Sequence, residues 1–370
     1  MFGAGVAQAA IPGMNGTVVF ESNRAADVSY CLSRFQGDEL FVLFSGHHDP
    51  RQLTCTAQRD EHPFVSPDGS LVVFASTRVS SNTQLFTVPV DSANGLSPIT
   101  PKLVSGDRDA VDTYPSWSPK GDGTIAFARA RPGQLFQLFT ENVGTPAGAT
   151  PVFSSPTGFV DTQPVFDPSD ADHVVFVRLV GDHTQIMSYH LKTRVLVNLS
   201  AQGDGGVTSN DAKPDFVALD GGQRLVFQSD RACGTTQLYS MTPHGSQQVP
   251  VFQTLDKGRP TGAQLCTDDS RNPVFSPHGD ALAFDRSDPS ARSVRHAFAV
   301  DVNADAVAVT LATRLNDNAA RTTEPNWGPD SGPPVQAPEI RYPVILPVAG
   351  GAIGVSVWLL RRRRTQGAAT

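Results

Sequence analysis

The sequence predicts an all-β protein: a six-bladed β-propeller closed by a C-terminal strand and followed by one transmembrane helix. Three observations predict this: a recurring turn phrase, a short phenylalanine-ended run after most copies of it, and an uncharged C-terminal stretch that runs into arginines. The 32 Gly and 29 Pro among 370 residues are too many for a helical bundle, and 39% hydrophobic residues are too many for a disordered chain.

The turn phrase consists of proline, any residue, an apolar residue, and then usually Ser-Pro-Asp-Gly or a relative of it. Pro-Asp-Gly presets the backbone for a tight turn and supplies its left-handed position. The spacings between successive copies are 52, 49, 50, 59 and 52 residues, which is typical of propeller blades. The copies begin at Pro63, Pro115, Pro164, Pro214, Pro273 and Pro325.

A β-rich run that ends in phenylalanine follows the first five phrases, and a further run stands near the N-terminus without a phrase. The six runs are 18–20, 72–74, 125–127, 174–176, 225–227 and 282–284. Third strands are predicted at short apolar pairs such as Leu135-Phe136. Because one four-stranded sheet cannot bury both faces alone, we interpret the phenylalanines as packing between blades.

The phrases and the runs are out of step by one. The last phrase, Thr323–Asp330, has no run after it, and the first run has no phrase before it. In a closed ring the last phrase can supply the inner strand of the first blade. The sequence therefore predicts a propeller over residues 14–329.

These motifs resemble the TolB-type (WD40-like) β-propeller repeat, which reads P-x-W/F-S-P-D-G followed by I-x-F-x-S-x-R. The segments 22–24, 76–78 and 229–231 continue the pattern as Ser-x-Arg. The resemblance covers about residues 14–330 and departs most in the fifth blade, where Ala218 and Leu219 replace Ser-Pro. It implies protein–protein contacts at a channel mouth, with a component of the cell envelope as the partner.

The four cysteines indicate an oxidising compartment, although they allow three connectivities. In an up-and-down blade the loop between strands two and three lies on the same face as the segment that leaves strand four. This geometry predicts the disulfides Cys31–Cys55 and Cys233–Cys266, each within one blade. Free buried thiols are the alternative.

The C-terminus predicts a membrane anchor. Residues 342–360 carry no charge, Arg361–Arg364 follow at once, and a Pro-rich linker at 330–341 precedes them. Nineteen residues of helix just cross a hydrocarbon core of about 30 Å, and the arginines place the tail 361–370 in the cytoplasm. The alternative is wall sorting, because residues 346–350 resemble a sortase motif that departs from its pattern at Ala349.

The propeller is then expected outside the cell membrane. Residues 1–13 are interpreted as the remnant of an export signal, with a disordered arm as the alternative. The net charge of −7 divides into −11 for residues 1–360 and +4 for the arginine tail.

Acidic residues recur just before the predicted inner strands, which would gather them at one mouth of the central channel. Grouped carboxylates raise one another's pKa or bind a cation, so this mouth is the predicted ligand site, and Ca²⁺ is the candidate ion. The alternative is that these side chains only solvate the rim. The six residues are Glu61, Asp112, Asp161, Asp211, Asp269 and Glu324.

The function expected from the sequence is a membrane-anchored binding or scaffold module at the cell envelope, monomeric and with an envelope or surface protein as its partner. The negative net charge argues against nucleic acid as a ligand. No nucleophile elbow, P-loop, dinucleotide fingerprint or Cys-x-x-Cys pair is present, and no catalytic residue or metal ligand is assigned. The first alternative is a lyase or hydrolase acting on extracellular glycan or peptide, which would need a basic or histidine partner converging with the carboxylates. The second is a structural spacer.

Overall fold

A computed structural model shows the architecture of the propeller. All described residues belong to the first of two units, Met1–Pro333; the second unit, Pro334–Thr370, is not described further. The structure describes residues 16–329 apart from 25–37, 46, 48, 57, 92–99, 106, 146–147, 155–157, 203–207, 220–221, 257–258, 265, 267–268, 289–290, 292–293, 309, 311 and 316–320.

Six four-stranded antiparallel sheets form the six blades. The innermost strands of blades 1 to 6 are β26 (Thr322–Gly328), β4 (Asp60–Val65), β8 (Val111–Trp117), β12 (Val160–Asp167), β16 (Asp211–Leu219) and β22 (Ser270–Phe275). The second strands are β1 (Thr17–Ser22), β5 (Leu71–Ser76), β9 (Thr124–Ala130), β13 (Asp170–Val180), β17 (Gly222–Ser229) and β23 (Ala281–Ser287).

The outer half of each blade is shorter. The third strands are β2 (Glu39–Leu43), β6 (Gln84–Pro89), β10 (Gln137–Asn142), β14 (His183–His190), β18 (Gln237–Met241) and β24 (Arg295–Asp301). The outermost strands are β3 (Arg51–Gln52), β7 (Lys102–Leu103), β11 (Thr150–Pro151), β15 (Leu196–Asn198), β19 (Val249–Pro250) and β25 (Thr313–Arg314).

The last strand closes the ring, as the sequence predicts. β26 pairs antiparallel with β1 as the inner strand of blade 1, with Thr17 opposite Gly328 and Val19 opposite Asn326. The two ends of the propeller are thus held in one sheet by backbone hydrogen bonds.

The recurring phenylalanines pack between blades. All six are fully buried, and each lies in an apolar cluster that joins its own blade to the preceding one. Phe74, for example, packs with Val19 and Leu40 of blade 1, and Phe20 packs with Ala283 of blade 6. The six residues are Phe20, Phe74, Phe127, Phe176, Phe227 and Phe284.

An arginine that follows each of these phenylalanines lies over its ring and over an aromatic ring nearby. In blade 3 the Arg129 guanidinium lies 5.1 Å from the Phe127 centroid and 5.4 Å from that of Phe139. Its Nε and Nη2 donate to the two carboxylate oxygens of Asp112, at 2.6 and 2.7 Å. Blades 2, 4 and 5 repeat the ion pair with Arg78–Asp60, Arg178–Asp161 and Arg231–Asp211.

One local prediction is wrong, and one departure from the repeat pattern has a visible consequence. In blade 3 the third strand holds Leu138 and Phe139, not Leu135-Phe136, because Phe139 is the ring that stands opposite Phe127. Leu135 lies in the preceding loop and is 47% exposed. In blade 5, where Ser-Pro is missing, the inner strand continues to Leu219, which pairs with Gly222.

A two-stranded sheet, β20 (Gln253–Asp256) and β21 (Arg259–Gln264), lies between blades 5 and 6 and has no counterpart in the other repeats described. It accounts for the longest spacing between turn phrases.

The Cys233–Cys266 disulfide is present, with Cα atoms 5.6 Å apart. It ties the loop between β17 and β18 to the segment that follows β21, at the end of the ring where inner strands begin. Closing a loop of 33 residues stabilises the fold by roughly 3–4 kcal/mol in the chain-entropy model. Cys55 is also disulfide-bonded, but Cys31, its predicted partner, lies outside the described residues.

Among the described residues no helix is long and apolar enough to cross a membrane. The predicted transmembrane segment at 342–360, the linker at 330–341, the tail at 361–370 and the N-terminal residues 1–13 lie outside them.

We expect Asp112→Ala to lower the free energy of unfolding by about 3–5 kcal/mol, because it leaves the buried Arg129 without its carboxylate partner. Urea unfolding followed by tryptophan fluorescence measures this change. Lys192→Ala is the control: Lys192 also pairs with an aspartate, but its side chain is 75% exposed, and the unfolding midpoint should not move. An unchanged midpoint in Asp112→Ala would contradict a structural role for the pair.

Candidate functional site: one mouth of the central channel

The repeat proline shapes the inner wall of the channel. Proline has no N–H to donate to a ladder, and every inner strand shows a register shift where this proline lies. The residue before each proline adopts a left-handed backbone, which is rare for residues other than glycine. These residues are His62, Tyr114, Gln163, Lys213, Asn272 and Glu324, with φ between 50° and 55°.

This ring of six residues, the mouth ring, lines a cavity of about 100 Å³ together with the six repeat prolines. The cavity lies at the end of the channel where the inner strands begin. A second cavity of about 250 Å³ lies toward the Ser-Pro turns at the other end. Five residues that follow the repeat prolines line both cavities: Phe64, Val165, Asp215, Val274 and Asn326.

Four members of the mouth ring form one connected cluster. Lys213 Nζ donates to Glu324 Oε1 at 2.8 Å and lies 4.6 Å from the centroid of the Tyr114 ring. His62 Nε2 lies 3.5 Å from Glu324 Oε2, and the His62 and Tyr114 rings are 3.9 Å apart. The cluster joins side chains from four blades, so it also ties the inner strands together.

The charges in this cluster compensate one another. Burial lowers the pKa of His62 to about 3, so its imidazole is neutral. Burial opposes the charge on Glu324, but His62 and the Lys213 ammonium together outweigh burial and lower the pKa of Glu324 to about 2. Burial would lower the pKa of Lys213, yet Glu324 raises it, so both partners are ionised.

Glu21, behind the ring, accepts the backbone N–H of His62 at 2.8 Å. Burial, with Glu324 nearby, raises the pKa of Glu21 well above its usual value, which favours the neutral form of this carboxyl. The cluster therefore presents one ion pair and neutral polar groups rather than an excess of negative charge.

Hydrogen bonds between neighbouring blades hold the inner strands in position. Gln163 Oε1 accepts the N–H of Lys213 at 2.7 Å, and Asn326 Oδ1 accepts the N–H of Val65 at 2.8 Å. Asp215 likewise accepts the N–H of Phe275 at 2.8 Å, and burial raises the pKa of Asp215 to about 7. Each bond satisfies a backbone donor of one blade with a side chain of the blade before it.

Three of the six carboxylates predicted at the mouth lie elsewhere. Asp112, Asp161 and Asp211 are fully buried inside their blades, and each is paired with an arginine of the second strand or of the loop that follows it. They stand three residues before the repeat proline, and at this position the side chain points into the blade rather than the channel.

The other three predicted carboxylates have different surroundings. Glu324 belongs to the mouth ring, Glu61 pairs with Arg59 at 3.1 Å, and Asp269 pairs with Arg271 and Arg295 at 2.8 and 3.0 Å. Burial raises the pKa of Glu61, and the nearby Arg59 lowers it in part. Of the six predicted residues, therefore, only Glu324 lines the mouth cavity, while Glu61 and Asp269 are each paired with arginine.

Within the described part of the chain no group of three His, Cys, Asp or Glu side chains is arranged to hold a metal ion. His62, Tyr114, Gln163, Lys213 and Asn272 were not predicted from the sequence. Their shared signal is position alone: each directly precedes a repeat proline, whereas their residue types have nothing in common.

No protein-family model matches the chain, and no curated protein does. Among solved structures, TolB from Acinetobacter baumannii is similar with a TM-score of 0.61 and 12% identity, over 85% of this chain and 67% of that one. A putative TolB from Agrobacterium tumefaciens has a TM-score of 0.57 and 14% identity, over 85% of this chain and 99% of that one. A chain of a nidogen–laminin complex has a TM-score of 0.56 and 11% identity, over 85% of this chain and 98% of that one.

The chain has a TolB-type six-bladed propeller fold. At these identities the likeness describes the fold alone. The mouth ring of this TolB-like propeller must therefore be interpreted from its own side chains.

We expect the stability of the protein to fall as the pH is lowered from about 6.5 to about 3. A histidine in the unfolded chain has a pKa of 6.5 and the folded value of His62 is about 3, so between these two pH values the unfolded chain binds the extra proton. His62→Gln should flatten this slope by at most about 1.4 kcal/mol per pH unit. Urea unfolding at a series of pH values measures it.

The matched control is His244→Gln, because His244 is exposed on a surface loop and should leave the slope unchanged. A slope that is the same in wild type and His62→Gln would contradict a neutral buried His62.

Proposed function

We propose that this protein is a membrane-anchored binding protein outside the cytoplasm, and that the mouth ring of its propeller holds a segment of a partner protein. The observation that carries the proposal is the ring itself: six polar or aromatic side chains, one from each blade, face one small cavity. Each is held in a left-handed conformation that costs about 1–2 kcal/mol, which is typical of functional positions.

The chemistry of the ring favours binding over turnover. A general base works best with a pKa near the operating pH, whereas the pKa of His62 is about 3 and Lys213 is held as an ammonium by Glu324. A cavity of about 100 Å³ accommodates one side chain or the end of a chain rather than a whole small molecule. The nidogen–laminin structure is a protein assembly with a similar fold, which agrees with this proposal.

An enzyme acting on glycan or peptide is the second candidate, and one observation favours it. A histidine and a lysine converge with the carboxylate of Glu324, which is the arrangement that an enzyme at this mouth would need. The pKa of His62 argues against it at neutral pH.

The partner site can be tested by photo-crosslinking in intact cells. We expect a photoreactive amino acid at Gln163 to give a discrete adduct with one protein, because Gln163 faces the mouth cavity. The same amino acid at Lys120, in a turn at the opposite end of blade 3, is the control and should give none. Western blotting against a tag on the full chain measures both.

Adducts at Lys120 but not at Gln163 would contradict binding at the mouth ring. Depletion of an added oligosaccharide or peptide by the wild-type chain, lost in Lys213→Met, would instead support an enzyme.

The anchor can be tested separately. We expect the full chain to stay in the membrane pellet after extraction with alkaline carbonate, because residues 342–360 are long enough to span the bilayer. A chain that ends at Pro333 should move to the supernatant and is the matched control. Release of the full chain by carbonate would contradict a transmembrane anchor.

A further inference from the structure

The second cavity of the channel, here called the turn cavity, lies at the end where the inner strands finish and has a volume of about 250 Å³. It is partly open, so a ligand can enter it from outside. Among the described residues that line it, Asp215 is the only ionisable one. Asp215 also lines the mouth cavity, so it lies where the two cavities meet.

The Asp215 carboxylate has no cationic partner in the described part of the chain. Its Oδ2 accepts the N–H of Phe275 at 2.8 Å, and the N–H of Phe216 is a second donor. Lys213, two residues earlier on the same strand, is bound to Glu324 instead. In contrast to the buried aspartates that pair with arginines inside the blades, Asp215 is therefore left by the fold with an unbalanced charge.

Asp215 is accessible from the channel. Part of its surface stays exposed, whereas Asp112 is fully buried inside its blade. Its place in the walls of both cavities shows that the exposed part faces the channel. A ligand in the turn cavity can therefore contact this carboxylate directly.

The rest of the turn cavity is walled largely by aromatic and other apolar residues. Each of the six blades contributes one aromatic residue, and five of the six are buried while Phe64 is partly buried. Proline residues of the turns complete the wall. The six aromatic residues are Phe64, Trp117, Phe166, Phe216, Phe275 and Trp327.

An accessible carboxylate within an apolar wall selects the kind of cation that can balance it. A divalent metal ion needs several oxygen ligands, and the described residues contain no group of three acidic, histidine or cysteine side chains that could hold one. A small inorganic ion would give up its water without replacement. A cation that carries its charge on an apolar body loses less hydration and also buries carbon surface against the wall.

We propose that the turn cavity binds a small organic ammonium ion, with the Asp215 carboxylate as its counter-ion and the aromatic wall around its carbon atoms. The ligand is either a free ammonium compound or the lysine side chain of a partner protein, and both present the same chemistry. The proposal does not rest on the function proposed for the mouth ring.

The affinity for such a cation should depend on pH. Burial raises the pKa of Asp215 to about 7, and the cation binds the ionised carboxylate. The affinity should therefore rise by up to about tenfold per pH unit below pH 7 and level off above it.

The other titratable groups of the channel belong to the mouth ring: His62, Tyr114, Lys213 and Glu324. The pKa of His62 is about 3 and that of Glu324 about 2, while the pKa of Lys213 is raised above its usual value. None of these three groups changes its charge between pH 5 and pH 8, so a change of affinity in this range reports on Asp215.

The test is calorimetry and thermal unfolding of the full chain in a non-ionic detergent, with tetramethylammonium, tert-butanol and pivalate. These probes have similar shapes and are a cation, a neutral molecule and an anion. We expect heat of binding and a raised unfolding midpoint with tetramethylammonium only. Tighter binding of Nα-acetyl-lysine amide would identify a lysine side chain as the ligand, and tighter binding of tetramethylammonium would identify a free cation.

Asp215→Asn keeps the shape of the side chain and an oxygen for the N–H of Phe275. It should weaken tetramethylammonium binding by about tenfold or more and abolish its pH dependence. Asp68→Asn is the matched control, because Asp68 is an exposed carboxylate in a turn at the same end of the propeller but outside the cavity lining. Its affinity for tetramethylammonium should equal that of wild type.

Three results would overturn the proposal: no binding of either ammonium probe, equal binding of tert-butanol or pivalate, or unchanged binding in Asp215→Asn. Should Asp215→Asn fail to fold, the pH series on the wild-type chain decides. An affinity for tetramethylammonium that is the same at pH 5 and pH 8 excludes Asp215 as the counter-ion.

Discussion

The missing N–H of the repeat proline is the constraint on which this propeller depends. It interrupts the ladder at the same place in all six inner strands, and each interruption turns the preceding residue into a left-handed conformation. A regular strand would point alternate side chains into the channel. The shifted strand instead directs the residue before the proline toward the mouth cavity. The proline that marks each repeat in the sequence therefore also determines which side chains line the site.

The same offset explains why the predicted acidic mouth differs from the structure. The residue directly before the proline faces the channel. The residue three positions before the proline faces the blade interior; in blade 3 this residue is Asp112, which pairs with an arginine that lies over the ring of Phe127. Asp112 and Glu324 therefore have opposite surroundings although both precede an inner-strand proline. The sequence pattern places both residues shortly before a repeat proline. It does not reveal the register shift at the proline, which turns the two side chains in different directions.

Fold and closure could be predicted because each depends on a repeated signal. Phe20 and Phe284 occupy equivalent positions in different blades, and burial between blades requires the same residue type each time. The pairing of β26 with β1 could also be predicted from the repeat, because the last turn phrase has no run after it and the first run has no phrase before it. The third strand predicted at Leu135-Phe136 is wrong because blade 3 contains two similar dipeptides, this one and Leu138-Phe139. Only the pairing of Phe139 with Phe127 distinguishes them, and this pairing is not visible in the sequence.

The mouth ring repeats a position but no residue type, because its members have different roles. His62, Lys213 and Glu324 are useful only as a combination: the ammonium keeps the carboxylate ionised, and the carboxylate keeps the ammonium protonated. A blade that supplied the same residue to every position would place six like charges around one small cavity, and burial would neutralise them. In a ring to which every blade contributes one side chain, a polar site with balanced charges therefore requires different residues at this one position. The other positions of the repeat can stay uniform.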